Sequence, residues 1–223
     1  MPKDILKILG VISRELTEIV NENPSLRGFI SGYISEYKLR QFFLADKRIS
    51  NLRKYDDHDR SRKSDIVFGY KGVEISVEVK SLQTKTIRQE NGTFVGKTQC
   101  DASDKRPVKF PSGDTISTTL LLVGEFDLLA VNLFAFENKW HFVFAKNSDL
   151  PTSTFGKYTP EQQKYLISSL INVSWPPQSP FTDDVFKVLD AIVKDKKKRK
   201  EPAKIKETPS EALEILGNKN DSS

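Results

Sequence analysis

Asp65 and the triplet Glu78-Val79-Lys80 are the residues of this 223-residue chain whose types and spacing best suit a reaction. Two carboxylates suit a hard divalent cation such as Mg²⁺, which takes one or two of them and keeps several waters. A lysine beside such a site can orient a bound water or help remove its proton. It can also stabilise the charge that develops on a phosphate. Twelve residues separate Asp65 from Glu78. For the groups to meet, the chain between them must double back, and its pattern predicts that it does. Ser64–Tyr70 reads as a strand, Lys71-Gly72 as a tight turn, and Val73–Lys80 as a second strand of strict alternation. Val73, Ile75, Val77 and Val79 point to one face, and Glu74, Ser76, Glu78 and Lys80 to the other. The start of the first strand then lies beside the end of the second, with Asp65 next to Glu78 and Lys80.

The rest of the chain supplies elements to hold such a hairpin. Residues 3–22 place apolar side chains at helical spacing up to Asn23-Pro24, and a second helix is predicted over about 30–46. Residues 50–63 read as a polar loop. After the hairpin, 93–99 is a further strand, 100–114 a polar, basic loop, and 116–123 a short helix. Phe126–Phe136 and Lys139–Ala145 read as a hairpin turning at Glu137-Asn138. Thr159-Pro160-Glu161-Gln162 opens a helix with a capping box, running to about 170, and 182–196 is the last helix. This order predicts an α/β domain with a mixed sheet, a single unit over 1–193. Residues 197–223 read as a basic, disordered tail.

Composition excludes several classes. One cysteine, Cys100, rules out a disulfide framework and a Cys-rich zinc site, and two histidines rule out a multi-histidine metal centre. Any metal is held by oxygens. No apolar run is long enough to span a membrane, and the N-terminus lacks a secretory signal. The net charge of +5 is mostly a property of 194–207, where eight Lys/Arg face three acids, so the globular part is nearly balanced.

An acid followed two positions on by lysine occurs four times, at Glu36–Lys38, Glu78–Lys80, Glu137–Lys139 and Asp195–Lys197. The third even has Asp127 upstream. Only Glu78–Lys80 sits inside an alternating strand, behind a tight turn, with an acid at the far end of the hairpin. In that setting Asp65 with Glu78-Val79-Lys80 resembles the signature of the PD-(D/E)XK nucleases, the restriction-endonuclease-like superfamily. Ser64 stands where the motif's name has Pro. That superfamily's core is helix, three-stranded meander, helix, strand, the order read here from about 30 to 145.

The resemblance implies a restriction-endonuclease-like core, a central mixed sheet flanked by helices, and Mg²⁺-dependent phosphodiester hydrolysis, with Mn²⁺ able to substitute. Asp65 and Glu78 are the implied ligands, joined by the Val79 carbonyl, and Lys80 positions the attacking water. Some members add an acid from the preceding helix, for which Glu36 is the candidate. The simplest such protein is a bacterial type II restriction enzyme, cytoplasmic and nucleoid-associated, cutting double-stranded DNA as a homodimer. The helices at 3–22 and 159–196 are candidates for its interface. A structure-specific or non-specific nuclease of repair or mobile elements, and a non-catalytic DNA-binding protein on the same fold, are the alternatives.

Candidate DNA contacts follow from residue type. Arg60, Arg62 and Lys63 precede Asp65, and Lys105, Arg106 and Lys109 lie in the basic loop; all suit phosphates. Gln83, Lys97 and Gln99 follow the hairpin and suit substrate backbone or base edges. His58 lies in an acidic loop, while His141, Trp140 and Trp175 read as structural.

Overall fold

The computed structural model describes residues 3–54 and 64–200. In chain order the elements are α1 (Ile5–Leu9), α2 (Ser13–Glu22), α3 (Pro24–Phe42), β1 (Ile49–Lys54), β2 (Ile66–Tyr70), β3 (Val73–Ser81), β4 (Arg88–Glu90) and β5 (Thr93–Gln99). They continue with β6 (Asp101–Lys109), β7 (Thr115–Leu120), β8 (Leu128–Asn132), α4 (Phe134–Glu137), β9 (Phe142–Lys146), α5 (Pro160–Gln163), β10 (Leu170–Trp175) and α6 (Val185–Lys200).

The centre is a five-stranded mixed sheet in the order β1-β2-β3-β8-β9, antiparallel throughout except where β3 runs parallel to β8. The tight turn between β2 and β3 is formed as the sequence predicts. Lys71 and Gly72 both take positive φ, 48° and 75°, the geometry that matches the twist of a two-residue hairpin. Register pairs Ile66 with Val77 and Tyr70 with Val73.

Alternation along β3 divides the molecule. Ile75, Val77 and Val79 face a core built with Ile66, Phe68, Leu39 of α3 and the apolar stripe of α6, Val185, Val188, Leu189, Ile192 and Val193. The opposite face of the sheet, through Leu129, Val131, Val143 and Ala145, packs on a second core from Leu82, Cys100, Phe126, Ile171 and Val173. Helices α3 and α6 thus flank the sheet on one side. The other side is covered by the sheet β10-β5-β4 and the β6-β7 ribbon.

Several sequence expectations are corrected. Residues 3–22 form two helices, because Gly10 takes a left-handed φ of 66° and caps α1. Pro24 occupies the first turn of α3, so the second helix begins well before residue 30. The predicted loop at 100–114 and helix at 116–123 are instead the antiparallel ribbon β6-β7. Its strand β7 is Thr-rich and only one of its faces is buried, a pattern that β-branched residues satisfy without an apolar run. That replaces the helix expected between the third and fourth core strands: the chain crosses from β3 to β8 through β4–β7.

Strands β8 and β9 pair as expected, Asn132 opposite Phe142, but are joined through the short α4 rather than by a tight turn. The capping box at Thr159 and Gln162 forms, yet the helix lasts one turn before the chain enters β10. Helix α6 continues past Lys196 to Lys200. Residues 201–223, most of the predicted tail, lie outside the described residues. Among the described residues no helix is long and apolar enough to cross a membrane.

Candidate active site

Asp65 stands one residue before β2, where the ladder ends. Its N–H donates to the Val77 carbonyl at 3.1 Å, and its Oδ2 accepts from the Val79 N–H at 2.7 Å. The carboxylate therefore continues the β2–β3 pairing by one rung and is fixed beside Glu78. Glu78 is buried, 9% exposed, and its Oε1 lies 2.7 Å from Lys80 Nζ. Lys80 also donates to the Asp101 carbonyl at 3.0 Å.

The electrostatics follow from two acids set close together, one of them buried. Burial, and then the negative charge of Asp65, push the Glu78 carboxyl up to about 7, against the pull of Lys80. Burial alone would lower the Lys80 ammonium; the charge and hydrogen bond of Glu78, with Asp65 behind, outweigh it and move it up. Lys80 is a held cation rather than a free base. Burial pushes the neighbouring Cys100 thiol up to about 12, which leaves it inert.

This donor set fits a hard divalent cation. Two carboxylates are the usual protein share for Mg²⁺, and the unfavourable second negative charge at Glu78 is what a cation would relieve. Among the described residues no group of three or more His, Cys, Asp or Glu side chains converges, so water would complete the shell.

The remaining sequence candidates divide. Glu36 sits on α3 with its Oε2 2.8 Å from Lys54 Nζ. Lys54 is opposite Ile66 in the β1–β2 register, so that ion pair lies on the helix side of the sheet and Glu78 and Lys80 on the other. The structure does not bring Glu36 to their face. Arg106 is turned inward: it pairs with the Glu125 carboxylate, whose side chain is 3% exposed, and its guanidinium reaches the Leu120 carbonyl. It is a structural residue rather than a free phosphate contact. Lys105 and Lys109 are exposed on the outer face of β6. Gln83 donates to the Gln99 side chain at 2.7 Å, and Gln99 donates to Asp101 Oδ2 at 2.9 Å, so both lie in a polar chain that ends next to Lys80. Lys97, half-buried on β5, joins the same region through its backbone, which accepts from the Gln83 N–H. Arg60, Arg62, Lys63 and His58 lie outside the described residues. His141 packs its ring on Trp175, and Trp140 stacks on Phe134, as structural residues would.

Sequence reasoning missed Asp101. Its carbonyl holds Lys80, while its carboxylate accepts from Gln99 and from Ser169 Oγ at 2.8 Å, tying three segments together behind the lysine. No sequence signal marks a backbone acceptor. Ser76, on the same face as Glu78, exchanges hydrogen bonds with Asp127, which also accepts from Lys196 at 2.6 Å. That pins the start of β8 to β3.

No protein-family model matches the chain, and no curated protein matches it. Among solved structures, it is similar to a bacterial homing endonuclease, I-Ssp6803I, at 15% identity. The match covers 80% of this chain and 98% of that one, with a TM-score of 0.35. The likeness is loose.

Proposed function

We propose that the chain is a Mg²⁺-dependent DNA endonuclease that hydrolyses phosphodiester bonds, and that it works as a homodimer on double-stranded DNA in the manner of a type II restriction enzyme. One observation supports this above others: the hairpin fixes two carboxylates, Asp65 and Glu78, at one end, with the half-buried ammonium of Lys80 paired to Glu78. The charge of Asp65 pushes the Glu78 carboxyl up, a crowding of like charges that a cation would relieve.

Asp65 and Glu78, with the Val79 carbonyl, would hold the cation, which supplies Lewis acidity towards a phosphate oxygen and a bound water. Lys80, kept charged by Glu78 and aimed by the Asp101 carbonyl, orients the attacking water and stabilises the charge that builds on the phosphate. The water oxygen bonds to phosphorus, one P–O ester bond breaks, and the departing oxygen takes a proton. Lys105 and Lys109 lie on the outer face of the β6-β7 ribbon, which starts at Asp101. A two-stranded ribbon is of a size to enter a major groove, and lysines on it suit the flanking phosphates.

The test is cleavage of a mixed plasmid and phage DNA panel with Mg²⁺, against EDTA and against Lys80→Ala. Discrete fragments that need metal and vanish in Lys80→Ala are expected. A metal-dependent smear would retain the nuclease and remove restriction. Activity unchanged by Lys80→Ala, or none on any substrate, would return the hairpin to an ordinary sheet face.

A further inference from the structure

From Lys3 to Ile34 no residue is buried. The segment is nonetheless rich in apolar side chains: of fifteen large hydrophobic residues exposed among the described ones, eleven lie between Ile5 and Phe42. Phe29 is the extreme, at 68% exposure. Only the last two turns of α3 enter the core, through Ser35 and Leu39. Helix α2 runs into α3 with only Asn23 between them, so α1, α2 and the first turns of α3 form an arm whose residues are not buried in the core.

Such an arm is not self-sufficient. Helices α1 and α2 have five and ten residues, below the ~12–15 at which an isolated helix becomes even marginally stable in water. Summed over the three helices, with about half of each side chain exposed, the eleven residues present on the order of 900 Å² of largely apolar surface. Monomers rarely expose apolar patches beyond ~300–600 Å², whereas one partner of a standard interface gives about 800 Å². Charge points to the same chain as the partner. Helix α2 has one Arg against three Glu, a net −2, and α3 has three bases against one Glu, a net +2. A two-fold axis that set each α2 against the other copy's α3 would pair these charges.

We propose that the α1–α3 arm docks on the same arm of a second copy, helix against helix, and so makes the chain a homodimer. The proposal gives an interface to the homodimer of the functional reading, but its observations come from the arm alone and not from the Asp65–Lys80 site. It also sharpens the sequence expectation, because of the two candidate interfaces α6 keeps its apolar stripe inside the core and α5 is a single turn.

The experiment is sedimentation velocity on the full chain over a range of concentrations, with Ile19→Glu and Phe29→Glu as variants. Both side chains are exposed in the single chain and support no core, so near-UV circular dichroism is expected to stay unchanged. The wild type is expected to be a dimer, and each variant to weaken it on the order of a hundredfold or more. A wild type that stays monomeric at its highest soluble concentration would overturn the proposal, leaving the arm to the chain's own C-terminal segment or to a different protein. A dimer that survives both variants would overturn it equally. Nicking of DNA by a monomeric variant would show that the active site is intact, so a failure here and a failure of the nuclease reading are separable.

Discussion

Two stretches of this chain spell the same chemistry and do different things with it. Asp65 with Glu78–Lys80 and Asp127 with Glu137–Lys139 are both an acid followed at a distance by acid-x-lysine. In the first, a two-residue turn folds the string onto itself, the two acids come together at one end of the hairpin, and Lys80 pairs with the buried Glu78. In the second, Asp127 stands just before β8, paired with Lys196 and accepting from Ser76, while Glu137 and Lys139 flank a surface turn 3.8 Å apart. A site is marked by like charges crowded against burial, as at Glu78 beside Asp65; the same residues spread apart at the surface are architecture.

The sharpest way to break that comparison is to remove matched groups from each string. Lys80→Ala or Asp65→Asn is expected to lower metal-dependent cleavage by about 10³-fold or more. Glu137→Gln and Lys139→Ala are expected to leave it within twofold or so, since exposed pairs contribute little. Equal losses from both strings, measured as initial rates on one plasmid, would sink the reading.

A second contrast sets Glu78–Lys80 against Arg106–Glu125, another pair sheltered from water. Here the base meets the acid directly, with the Leu122 N–H donating to the same carboxylate oxygen at 2.8 Å. Truncating the guanidinium removes a cationic partner from a carboxylate whose side chain is 3% exposed. Arg106→Ala is therefore expected to destabilise the fold by roughly 3 kcal/mol in urea unfolding. Lys105→Ala, on the exposed face of the same strand, is expected to fall within about 0.5 kcal/mol of wild type. If Arg106→Ala unfolds at the wild-type midpoint, its inward pairing is not structural.

These contrasts show what the sequence could and could not carry. Period-two alternation over 73–80 and the Lys71-Gly72 turn were enough to juxtapose Asp65, Glu78 and Lys80, because register follows from a two-residue turn. The mixed sheet was legible for the same reason: its buried strands are local patterns. Arg106 was not, since a basic residue among polar neighbours looks solvent-facing until Glu125, nineteen residues on, is folded beneath it. Asp101 acts through its carbonyl, which every residue type has. The β6-β7 ribbon escaped because a strand with one wet face and a Lys-Arg-Pro stretch carries no apolar run. Glu36 was placed by analogy with a family rather than by any pattern, and the register put it on the other face of the sheet.

The pH behaviour tests the crowding of Glu78 by Asp65. A carboxyl raised from 4.5 to about 7 in the fold favours the folded state while protonated. That contribution is complete below the unfolded value and is lost as pH rises through about 7. A cation needs the opposite form, so binding must displace the proton, and affinity should climb across the same interval. Melting curves with and without Mg²⁺ should therefore separate progressively from pH 6 to pH 8, with the metal-free midpoint falling as the metal-bound one holds.

The smallest expected effect belongs to Glu36. Its carboxylate is paired with Lys54 on the helix side of the sheet, so Glu36→Gln keeps the shape of the side chain and removes only its charge. If that pairing is its role, cleavage should change less than about threefold. Stability should drop by about 1 kcal/mol, because the partly buried Lys54, 4.4 Å from the Tyr33 ring, loses one ionic partner. A Glu36→Gln variant that lost cleavage as completely as Asp65→Asn, with its melting point unchanged, would place a third carboxylate in the site. The distinction between the two faces of the sheet would then give way at this end of the hairpin.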